Sequence, residues 1–128
     1  MSEVIRNRDY IRQIKDFSGL RMGKMMPTDI DGLIEYKNKA FVLFELKHGQ
    51  GSVRGGQRLA LERLTDALGQ VRPSVCFVCN HSSTEDIDVA RVTVCEFRFQ
   101  GRWWPAQRVQ LAKYIQRFLR SVNYELGA

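Results

Sequence analysis

The chain reads as a single α/β domain, a mixed central β-sheet flanked by helices, and three observations carry that reading. Residues 30–36 and 40–47 are β-branched, aromatic and apolar runs on either side of Lys37-Asn38-Lys39, a stretch with turn chemistry, so they form a β-hairpin. Residues 57–68 place Leu61, Leu64 and Leu68 at helical spacing, as a buried stripe. Residues 74–80 follow Pro73 as a compact apolar run too short for a helix. Strand, helix and strand in that order make a β-α-β crossover, right-handed with parallel strands.

The length of 128 residues fits one domain spanning 1–128, large enough for a core and too small for two. Hydrophobic residues make up 44% of the chain and both signs of charge are interspersed, which excludes a disordered class. The chain has no apolar run of membrane-spanning length, and its N-terminus is too polar for a signal peptide, so a cytoplasmic protein is expected. The formal charge of +6 is unevenly spread. Residues 1–28 hold six Lys and Arg against three acids and residues 98–128 hold six against one, whereas residues 29–97 hold eight against ten. A basic exterior around an acidic centre suits a protein that attracts phosphates and holds a cation.

Residues 4–17 place Tyr10, Ile14 and Phe17 on one face of a short amphipathic helix with an Arg-rich outer face. Its acids Glu3, Asp9 and Asp16 read as solvated. Residues 18–27, with two Gly and three Met, read as a loop or short strand in which Arg21 and Lys24 could meet a phosphate.

The hairpin that follows is the chemical centre of the sequence. If Asn38 is the middle of its turn, Asp31 lies opposite Glu45, and Asp29 opposite Lys47. Glu45 and Lys47 share a face because side chains alternate along a strand. Two carboxylates and an ammonium then converge where one strand begins and the other ends. Such acids repel each other and are costly beside an apolar sheet unless a cation binds them. Taken alone, Glu45 with Lys47 could equally be a solvated surface pair contributing little.

Residues 48–56 are a Gly-rich link that does not match the phosphate-binding loop pattern. In the helix after it, stepping back four residues from Leu61 lands on Gln57, so an amide takes the first inward position of an apolar face. Arg54, Arg58 and Arg63 add positive charge around that helix. Cys76 and Cys79 have a spacing used by zinc sites, but residues three apart on a buried strand point to opposite faces, so these and Cys95 are expected to be reduced thiols. His81 follows the strand and is a weak candidate for a general base. Residues 89–99 alternate as a strand with Val92, Val94 and Phe97 in the core, and Gln100-Gly101 makes a turn. Trp103 and Trp104 divide between core packing and base stacking. A final helix over about 106–122 buries Leu111, Ile115, Phe118, Leu119 and Val122 and turns Arg108, Lys113, Arg117 and Arg120 elsewhere.

The order Pro27, Asp29 or Asp31, then Glu45-Leu46-Lys47 resembles the PD-(D/E)xK nuclease superfamily. The resemblance implies a restriction-endonuclease-like αβββαβ core and metal-dependent hydrolysis of nucleic-acid phosphodiesters, DNA before RNA. It implies that Asp31 and Glu45 hold Mg²⁺ or Mn²⁺ with the Leu46 carbonyl as a further ligand, and that Lys47 orients or activates the attacking water. Gln57 matches a Gln at the start of this helix in several branches of the superfamily, near the metal. Arg21, Lys24, Arg54, Arg58, Arg117 and Arg120 are the candidate nucleic-acid contacts, and a homodimer would enlarge the contact surface. The sequence departs from the pattern where Thr28 separates Pro27 from Asp29, which leaves Asp29 as the alternative ligand. Asp31 is preferred because it faces Glu45 and precedes Gly32, which leaves room for a ligand. The competing expectation is a nuclease-like fold that binds nucleic acid or protein without cutting. A lost acid or Lys would mark it, and none is lost.

Overall fold

Lys37 and Asn38 both adopt left-handed backbone angles, φ 46° and 57°, and this tight turn joins β1 (Gly32–Tyr36) to β2 (Ala40–His48). The structure, a computed structural model, describes residues 16–122. The turn fixes the register: Gly32 pairs with Phe44, Leu33 with Leu43 and Ile34 with Val42, which centres the hairpin on Asn38 as the sequence predicts. Beyond β2 come helix α1 (Gly55–Gly69), β3 (Ser74–His81), β4 (Thr93–Phe99), β5 (Arg102–Pro105) and helix α2 (Leu111–Ser121). The five strands form one mixed sheet in chain order, with β2 and β3 parallel and every other pair antiparallel. The parallel pair is the expected crossover. It puts β3 at the centre of the sheet, where its first six residues are all buried.

Strand alternation divides the core in two. One face, covered by α2, buries Val42, Val75, Phe77, Cys79, Val94, Leu111, Tyr114 and Leu119. The other, covered by α1, buries Leu43, Val53, Leu61, Cys76 and Val78. Cys76 and Cys79 therefore lie on opposite faces, as the period of a strand requires, and the cysteines are free thiols. Burial pushes the Cys76 thiol up to about 12 and raises Cys79 and Cys95 as well. Cys95 is the extra residue of an irregularity where the β3–β4 register shifts between Val78 and Cys79, and its Sγ donates to the Val78 carbonyl at 3.2 Å.

Some elements differ from the expectation, and one lies mostly outside the described residues. The helix expected over 4–17 lies outside the described residues except for Asp16 and Phe17, which are not helical. Asp16 is exposed and accepts the Ser18 amide at 2.9 Å, which lowers its pKa. Two strands precede α1 among the described residues, because 18–27 forms a 3-10 turn (Ser18–Leu20) and a lone Met22–Met25 bridge. On α1, Leu61 is buried but Leu64 is 38% exposed, and Thr65 takes the inward place. The helix lies on the sheet so that Gln57, Leu61 and Thr65, each four residues on from the last, face inward. The last helix starts at Leu111, and 89–91 is a 3-10 turn rather than strand. Residues 106–110 instead run beside β4, with Ala106 N donating to Cys95 O and Val94 N to Val109 O, so their backbone groups are spent on the sheet. Among the described residues no helix is long and apolar enough to cross a membrane.

Candidate metal centre

Because β1 and β2 pair about Asn38, the chain just before β1 meets the C-terminal half of β2 at Glu45. Asp31, in a bend one residue ahead of the strand, takes over where the peptide ladder stops: its Oδ2 accepts the Leu46 amide at 2.7 Å. The Asp31 amide reaches back towards Glu45 Oε2 at 3.4 Å. The two carboxylates expected to converge are thus interlocked through both backbone and side chain.

Glu45 sits on the α1 face, 3% exposed, with Leu43 on one side and the first turn of α1 above it. Gln57 reaches down from that turn. Its Nε2 donates to Glu45 Oε1 at 2.8 Å and its Oε1 accepts Lys47 Nζ at 2.9 Å, while Lys47 Nζ lies 3.8 Å from Glu45 Oε1. One amide therefore satisfies an acid and an ammonium at once, and the orientation of its two ends follows from those partners. This is why a Gln stands on a face otherwise given to Leu61 and Thr65. Burial, and then the charge of Asp31 beside it, hold the Glu45 carboxyl above its ordinary pKa.

The donor set suits a hard divalent cation. The bonds to Leu46 and Gln57 use Asp31 Oδ2 and Glu45 Oε1, and Glu45 Oε2 takes the long 3.4 Å contact from the Asp31 amide, which leaves it lone-pair capacity for a cation beside Asp31 Oδ1. A strand residue directs its N–H and C=O to the same edge, so the Leu46 carbonyl lies on the side of Asp31. No three of His, Cys, Asp or Glu converge among the described residues. A cation held here would complete its shell with the carbonyl, water and phosphate oxygens, which is how Mg²⁺ is commonly bound through one or two carboxylates.

Other candidates are placed elsewhere. Asp29 is exposed, and the ladder ends at Gly32, so the expected pairing of Asp29 with Lys47 is not formed. The space beside Gly32 is not left for a ligand: it holds the Phe44 ring, on the face away from Glu45. Arg21 and Lys24 are exposed on the approach to β1, and Arg54 is exposed at the N-cap of α1. Arg117 and Arg120 are exposed on α2, across the sheet from Glu45 and Lys47. His81 pairs in register with His48, its ring edge-on at 5.3 Å, also on the α2 face.

Arg58 is committed within the fold. Its Nη1 lies 2.6 Å from Glu96 Oε1, and its guanidinium stacks 4.1 Å above the Trp103 ring, whose Nε1 donates to Glu62 at 2.6 Å. Ser52 Oγ donates to the same Glu96 oxygen at 3.1 Å. These bonds tie the Gly-rich link and the first turn of α1 to β4, and so set the height of Gln57 above Glu45. Glu96 is absent from the sequence reading. Its one signal is an acid at an inward position of β4, and its partner lies 38 residues away. Trp103 packs against the core, as expected of one of the pair, while Trp104 stays 36% exposed with its Nε1 donating to the Phe99 carbonyl at 3.0 Å.

Comparisons with protein-family models, curated proteins and solved structures return no match.

Proposed function

We propose that this domain hydrolyses phosphodiester bonds of nucleic acid, DNA foremost, with Mg²⁺ or Mn²⁺ as cofactor. The observation that carries the reading is the Gln57 bridge: Glu45 and Lys47 are held 3.8 Å apart by one amide, with Asp31 across the hairpin from Glu45. An ordinary surface ion pair needs neither the burial of Glu45 nor a second acid beside it. Asp31, Glu45 and the Leu46 carbonyl would hold the cation. When bound, it would polarise the scissile phosphate and lower the pKa of a water. Lys47 Nζ, its direction set by Gln57, offsets the negative charge that builds on the phosphate oxygens and orients the attacking water. Arg54, Arg21 and Lys24 supply positive charge for the backbone on the exposed side. The cysteines are free thiols, in keeping with the reducing cytoplasm.

The non-cutting reading draws on a separate observation, that two acids rather than three converge among the described residues and Asp29 stands aside. One panel separates the two readings: linear, nicked, branched and single-stranded substrates incubated with Mg²⁺ or Mn²⁺. Asp31→Asn and Glu45→Gln are each expected to abolish cutting while the fold and substrate binding persist. Full activity in Glu45→Gln would overturn the site, and binding without cutting across the whole panel would favour the second reading.

A further inference from the structure

The link between β2 and α1 contains Gly49 and Gly51, residues that ordinarily leave a segment flexible, yet it is held along its length. Gly49, at φ 70°, donates its amide to the His81 carbonyl at 2.7 Å, which carries the contact with β3 past the end of β2. Asn80 Nδ2 donates to the Gly51 carbonyl at 2.7 Å, Ser52 Oγ donates to Glu96, and Val53 is buried.

The sheet places Asn80 for this contact. It pairs in register with Lys47, and strand alternation from Cys76 and Val78 puts it on the α1 face, the face of Glu45 and Lys47. The Gly51 backbone that it holds lies over that pair: a β-carbon on Gly51 would stand 3.6 Å from Lys47 Cβ and 3.4 Å from the His48 carbonyl oxygen. Lys47 is thus confined at two places. Gln57 Oε1 holds its ammonium, and the link runs beside the base of its stem.

We propose that Asn80 is a positioning residue for Lys47. By tying Gly51 down it makes the link a fixed wall beside the lysine stem, which directs the ammonium at Gln57 and Glu45 before any phosphate arrives. A lysine stem is long and rich in rotamers, so a single hydrogen bond at its end leaves it several ways to swing into water. A wall at its base removes those on the side of the link. Freedom removed in advance is freedom that need not be lost when a phosphate is engaged. The Asn80 bond itself is exposed, so its loss costs the fold little, because water takes its place at the Gly51 carbonyl. The use of a fixed ammonium rests on the hydrolytic reading above; the confinement of Lys47 does not.

The test reads Lys47 directly. In the full chain carrying ¹³C-labelled lysine, without metal or nucleic acid, the Lys47 signals are assigned as those lost in Lys47→Arg. A confined stem gives its two ε-protons separate shifts, and a freely rotating one averages them. Wild type is expected to show the splitting, and Asn80→Ala and Asn80→Asp are each expected to narrow it, with urea midpoints close to that of wild type. The aspartate keeps the size of the side chain and exchanges a donor for an acceptor, so it separates the hydrogen bond from bulk. Averaged ε-protons in wild type, or a splitting unchanged in either variant, overturns the proposal whether or not the domain cuts. Where wild type cuts nucleic acid, both variants should lose about tenfold or more in kcat with KM held within about threefold, the pattern of an interaction used in the transition state. An unchanged kcat overturns the proposal as well. A wild type that cuts no substrate sinks the hydrolytic reading alone, because the ε-proton splitting still decides the confinement of Lys47.

Discussion

Gly32 lies directly across the hairpin from Phe44, and the aromatic ring fills the place a side chain would take: a β-carbon on Gly32 would fall 1.9 Å from Phe44 Cζ. The glycine lets β1 close on β2 with the ring folded beneath it, and so brings Asp31 to Glu45. Gly32→Ala should therefore destabilise the fold by about 1–3 kcal/mol, as overpacking a tight contact does. Urea denaturation measures it, and Gly32→Ala with Phe44→Leu should recover part of the loss. Equal stability of wild type and Gly32→Ala would refute the contact.

Glu45 gives a pH dependence with a defined sign. Its pKa is raised on folding, so the folded state binds that proton more tightly than the unfolded chain does. The stabilisation is complete below the unfolded value, ordinarily 4.5, and is lost as pH rises through the folded one. In cation-free buffer, urea midpoints of wild type and Glu45→Gln should converge at acid pH, with the variant gaining relative to wild type towards neutrality. A constant gap across the range would mean that Glu45 is not strained by burial and Asp31.

A cation that binds the folded state alone stabilises it by mass action. Millimolar Mn²⁺ or Mg²⁺ should raise the melting temperature of the wild type, and Glu45→Gln and Asp31→Asn should lose most of that rise. Calorimetry without nucleic acid reads this directly. An unmoved wild-type melting curve would count against a cation held by these two acids alone.

The positions of the arginines sort binding from folding. Arg54→Ala should reduce the slope of log affinity against log salt by about 1 on a nucleic-acid probe, whereas Arg117→Ala with Arg120→Ala, across the sheet, should leave it unchanged. Arg58→Ala should act on stability, by about 1–2 kcal/mol, because it removes the partner of Glu96 and the cation above Trp103. A steeper effect of Arg117 and Arg120 than of Arg54 would move the binding surface to the α2 face.

The sequence alone carried the hairpin, its register, the span of α1 and the central strand β3, and with the register came the meeting of Asp31 and Glu45. These rest on interactions short in sequence: a turn that needs left-handed residues at Lys37 and Asn38 fixes every pair that follows it. Gln57 was legible for a similar reason, since helical periodicity counted back from Leu61 puts it on the buried face. What only the tertiary structure decided depends on partners far along the chain. Whether Leu64 or Thr65 turns inward follows from how α1 lies across the sheet. Residues 106–110 could satisfy their amides in a helix or on β4, and the free edge of β4 settled it. Arg58 reads as a free cation until β4 brings Glu96 beneath it and β5 brings Trp103. Local periodicity states which face of an element is apolar; which charged groups that face then meets is set by the packing of elements tens of residues apart.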